Sequence, residues 1–155
     1  MLRALWWIGF SVAGIWAQTL LPGVDFLAAG LVFSLQEEGR GRALLLAFAF
    51  ILLQEGMGSQ PFGATVLWYW LLYLLVSLGQ YIFQARSTPF AALLGLTLGL
   101  LHFLQTYATA TLAVKAVPVD RVIVESLLQA LIFPLEWLCV DWLYPARLRS
   151  HDQPV

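Results

Sequence analysis

The chain has 155 residues, of which 61% are hydrophobic and only 11% charged, and its mean hydropathy is +0.81. Soluble domains carry about 25% charged residues, so this is the composition of an integral membrane protein, with too little chain outside the apolar runs for a separate soluble domain. A net charge of −1 offers no basic surface for nucleic acid.

The first apolar run, Ala4 to Leu21, ends at Pro22 and Gly23. Its Gly9, Ala13 and Ala17 recur at every fourth position, which on a helix makes a smooth stripe for close packing. Two short runs follow, Phe26 to Leu35 and Ala43 to Leu53. Each covers only about half of a ~30 Å hydrocarbon core at ~1.5 Å per residue. Either polar flanks extend both into full spans, which is the arrangement we expect, or the two form a re-entrant hairpin. Between them, QEEGRGR holds Glu37, Glu38, Arg40 and Arg42 and reads as a solvated turn.

Leu52 to Gly63, LLQEGMGSQPFG, breaks the hydrophobicity and places Glu55 at a helix end before a glycine-rich turn. A carboxylate there needs water or protein around it. The next span, Phe62 to Phe83, puts Tyr69, Tyr73, Ser77, Gln80 and Gln84 on one face, which should meet protein. Phe90 to Val114 follows, carrying Ala91, Gly95 and Gly99 at small-xxx-small spacing, a stripe expected to pack within the monomer. The last span, Val122 to Leu143, contains Pro134, which should kink it. Glu125, Gln129 and Glu136 share a narrow arc of this helix, and Cys139 reads as a small buried hydrophobe.

The elements add up to an all-α bundle of six transmembrane helices in one domain, 1–149, with a polar tail at 150–155. Arg3, Arg40, Arg42, Arg86, Arg147 and Arg149 then fall on one side, and Lys115 and Arg121 on the other. The positive-inside rule places both termini in the cytoplasm and the Gly56 to Pro61 turn outside.

No spacing in the chain matches a catalytic, metal-binding or phosphate-cradling motif, so neither an enzyme nor a cofactor is expected. His102 shares a face with Thr106 and Thr109 and fits a hydrogen-bonded packing residue better than a base or ligand. Glu125 lies one turn from Arg121 and can pair with it. For Glu136 two roles stay open, a hydrogen-bonded packing residue or part of a partner-binding surface.

The break at Glu55, the Gly58-Ser59 pair, Gly63 and the following ATVLWYWLLYLLVSLGQYIF, together with the closing EWLCVDWLYPARLRS, resemble the bacterial rod shape-determining MreD family. In that family an acid closes the third span, a Ser/Gly-rich turn follows, and a glycine stands eight positions after the acid. The acid is usually aspartate, whereas this chain has glutamate and places Gln60-Pro61 in the turn. The resemblance implies a non-enzymatic subunit of the elongation machinery in the cell inner membrane. Its partners would be an MreC-like scaffold, actin-like MreB and a RodA-type synthase. It also implies a fold shared with the substrate-binding subunits of energy-coupling-factor transporters. The residues expected to carry function are the turn Glu55, Gly58, Ser59 and Gly63, and the packing or partner-binding residues Gly95, Gly99, Gln129 and Glu136. The alternative is a vitamin-type small-molecule-binding subunit of such a transporter, docking through Ala13 and Ala17.

Overall fold

The computed structural model describes residues 1–56, 63–83, 87–112 and 118–149. Among them the chain forms α1 (Leu2–Leu20), α2 (Ala28–Glu37), α3 (Arg40–Gly56), α4 (Ala64–Ile82), α5 (Thr88–Leu112) and α6 (Val119–Leu143), then one 3-10 turn at Ala146–Leu148. The described residues contain no strand. Three of the helices, α4, α5 and α6, are each long and apolar enough to cross a membrane. The surface agrees with that environment: Leu96, Leu100, Leu131, Leu135 and Trp142 stand exposed along α5 and α6. The protein is therefore an all-helical membrane protein.

The centre of the fold is its shortest helix. α2 has 10 residues, about 15 Å of helix, and is buried along almost its whole length between α3, α4 and α6. Its polar flank does not lengthen it. Pro22 and Gly23 interrupt helical geometry after α1, Gly23 at φ +95, and residues 21–27 enter the bundle as non-helical chain with Val24 and Leu27 buried. The second apolar run is thus a 10-residue helix entered by non-helical chain.

α5 and α6 form the most extensive helix pair. A Cβ on Gly95 would stand 2.7 Å from the Ala130 carbonyl oxygen, and one on Gly99 would stand 2.6 Å from that of Ser126. These backbones touch because both positions lack a side chain. The other small stripe behaves differently. Gly9 has nothing within 4 Å of a Cβ position, and Ala13 is exposed. α1 meets the bundle instead through Trp7, Phe10 and Gly14, because bulky rings bury more area than the stripe can. Cys139 is exposed rather than buried, on the same outer side of α6 as Leu135 and Trp142. The helix continues through Pro134.

Candidate functional site

Asp25 is the polar centre of the structure. Its Oδ1 accepts hydrogen bonds from the Leu27 amide at 2.9 Å, Gln54 Nε2 at 2.8 Å, Gln18 Nε2 at 3.2 Å and the Tyr69 hydroxyl at 3.4 Å. Its Oδ2 accepts Trp68 Nε1 at 2.7 Å, and the Asp25 amide donates to Gln129 Oε1 at 2.7 Å. One residue in the 21–27 segment thereby joins α1, α3, α4 and α6. Burial raises the Asp25 carboxyl above the ordinary aspartate range, and the donors from Leu27, Trp68 and Gln54 oppose that rise.

Beside Asp25 lies a cavity of about 380 Å³, at the end of the bundle where α1 finishes and α6 begins. Gln18, Trp68, His102, Gln105 and Glu125 contribute polar atoms or ring surface to its wall. Arg121 Nε donates to Glu125 Oε1 at 2.7 Å, the pair expected from their spacing. The other Glu125 oxygen is 3.9 Å from His102 Nε2. The rings of Trp68 and His102 meet edge to face, with centroids 6.2 Å apart. Gln105 Nε2 donates to the Ala64 carbonyl at 3.0 Å. Gln105 Oε1, Thr65 Oγ1 and His102 Nε2 are buried, with no hydrogen-bond partner among the described residues. His102, Thr106 and Thr109 do share a face, but that face lines the cavity, so His102 borders open space rather than filling a packed contact.

The residues singled out in the sequence fall in several places. Glu55 Oε1 accepts the Gly63 amide at 3.0 Å. Gly63 is the residue from which α4 starts, at φ +84, a conformation that favours glycine. A carboxylate at that helix start also suits its partial positive charge. Gly58 and Ser59 lie outside the described residues. Gly95 and Gly99 sit against α6. Gln129 is fully buried and holds the Asp25 amide, so it belongs to the interior of the bundle rather than to an outer partner surface. Glu136 is half-buried, and its Oε2 has no hydrogen-bond partner among the described residues. Of the polar residues expected on the inward face of α4, Tyr69 is buried, whereas Gln80 is exposed.

Asp25, Gln54 and Trp68 were not anticipated. A signal was present: a Pro-Gly pair, then an acid, directly ahead of an apolar run too short to span. That is the pattern of an interrupted helix whose polar backbone must be satisfied inside the protein.

A second carboxylate organises the opposite end. Glu38 Oε1 accepts Trp7 Nε1 at 3.0 Å and the Tyr144 hydroxyl at 2.5 Å, and lies 3.3 Å from Arg3 Nε. Its side chain is only 4% exposed. The expected solvated turn is therefore an anchor, because two aromatic donors and a cation close over the acid. Arg3 also donates to the Leu148 carbonyl at 2.9 Å, which ties the start of α1 to the chain after α6. No family model matches this chain, and no curated protein or solved structure matches it.

Proposed function

We propose that this chain is a non-enzymatic inner-membrane subunit of the cell-elongation machinery, organising peptidoglycan synthesis through an MreC-like scaffold, MreB and a RodA-type synthase. The observation that carries the reading is the Glu55 to Gly63 hydrogen bond. The two fixed positions of the MreD-type turn are joined across eight residues, which gives that spacing a physical reason. In this reading the six helices act as six spans with both termini cytoplasmic. The basic residues support that orientation: Arg3, Arg42 and Arg149 lie at the Glu38 end, and Arg121 lies at the cavity end.

The test is depletion of the chain in its own rod-shaped cell, with co-purification of the scaffold. Loss of rod shape, restored by the wild type and by Glu55→Gln but poorly by Glu55→Leu, is the expected outcome. Normal shape without the protein, and no scaffold retained, would overturn the reading. The cavity beside Asp25 favours a second one, a small-molecule-binding membrane subunit sharing the fold of energy-coupling-factor substrate subunits. Its volume falls within the range of ligand pockets.

A further inference from the structure

We propose that the cavity bounded by α1, α4, α5 and α6 binds a small organic cation carrying N–H donors. The proposal is independent of the elongation-subunit reading. It rests on the small-molecule reading and gives that reading a ligand class.

Four observations select this chemistry. Thr65 is only 3% exposed, lines the cavity and has no partner for its hydroxyl among the described residues. A buried polar atom in that state costs free energy until a ligand or water reaches it. Gln105 faces the cavity as an acceptor, because its Nε2 is held by the Ala64 carbonyl and a flipped amide would set oxygen against oxygen. Among the described residues the wall carries two acids, Asp25 and Glu125, against one guanidinium, Arg121, whose side chain is 64% exposed and leads toward solvent. With Arg121 drawn to Glu125 and out to solvent, an added cation is favoured here over an added anion. Finally, Trp68 cannot swing away, because its indole N–H is held by Asp25 at 2.7 Å. It presents a fixed aromatic wall, a surface on which planar cations are attracted.

The test uses the full chain in phosphatidylcholine nanodiscs, with empty nanodiscs as the blank, titrated by calorimetry at pH 7. Three probes of one shape differ in charge: benzamidine (cation), benzamide (neutral) and benzoate (anion). Benzamidine should bind saturably, about 10-fold or more tighter than the other two. Glu125→Gln and Gln105→Leu, each shown to be folded by circular dichroism and gel filtration, should weaken it about 5-fold or more, and Leu96→Ala on the outer face should not. Benzamide or benzoate binding as tightly as benzamidine would overturn the cation assignment while leaving a small-molecule site. Benzamidine binding unchanged in both folded variants would move the site elsewhere and overturn the proposal. No saturable binding of any probe to the wild type would remove both the proposal and the small-molecule reading, and would leave the elongation reading standing.

Discussion

Both ends of the bundle are built on the same device, a carboxylate that takes one indole N–H and one phenol O–H, yet the two acids keep different company. Glu38 receives Trp7 and Tyr144 and adds Arg3, a formal cation that is partly exposed. Asp25 receives Trp68 and Tyr69 and adds only neutral donors, two glutamine amides and a backbone N–H. Where a cation completes the shell, the charge is cancelled locally and the end serves as a clasp between chain termini. Where dipoles alone complete it, the acid is held by hydrogen bonds with no cation beside it. The neighbouring cavity carries other buried polar atoms with no hydrogen-bond partner among the described residues.

The comparison predicts that removing the two acids will have unequal effects. Asp25→Leu leaves the Trp68 indole and the Leu27 amide without their acceptor inside the bundle, and should lower stability by about 3–5 kcal/mol, seen as loss of folded protein from the membrane. Glu38→Leu should cost less, about 1–3 kcal/mol, because one of its partners, Arg3, is partly exposed and can turn to water. Equal losses in a thermal melt of the two variants, or the reverse order, would break the distinction.

A milder pair of changes sharpens it. Trp68→Phe and Trp7→Phe each delete one N–H to a carboxylate, and each should cost about 1.5–3 kcal/mol. Only Trp68→Phe should also alter ligand binding, because Trp7 is remote from the cavity. A change in benzamidine affinity from Trp7→Phe would couple the two ends and contradict their independence.

The smallest effect concerns pH. Burial first, and then the hydrogen bond to Glu38, push the Tyr144 hydroxyl up to about 12. The unfolded value is about 10, so the stabilisation from this group is complete below pH 10 and is lost as pH rises through about 12. Tyr144→Phe should therefore be about 1 kcal/mol less stable at neutral pH and should flatten the alkaline loss seen in the wild type. An unchanged alkaline loss in the variant would assign it to another group.

The sequence made the long helices legible because length and apolarity alone define them, as α4, α5 and α6 illustrate. It also made legible contacts that depend on local spacing: Arg121 with Glu125, and the glycines of α5. Asp25 was not legible in that way, since its partners come from positions 18, 54, 68, 69 and 129, and no periodicity connects them. The fate of Glu38 was hidden for the same reason. A charged turn looks solvated until Trp7 and Tyr144 are brought over it from distant parts of the chain. The stripe on α1 had the correct spacing but lost to the neighbouring aromatic face, a competition decided by buried area rather than by pattern.

The brevity of α2 has a consequence for biogenesis. A helix of 10 residues is too short to partition into a bilayer by itself, and among the described helices its most extensive contacts are with α6. The hydrogen bond from Asp25 to Gln129 bridges 104 positions, and the one from Trp137 to Gln36 bridges 101. The innermost segment is made early and can be locked in place only after the last helix has been synthesised. Until then the Asp25 amide lacks its Gln129 acceptor, and a chain released before α6 keeps an unfinished centre. Arrival of α6 thus completes a centre that the N-terminal half lays down.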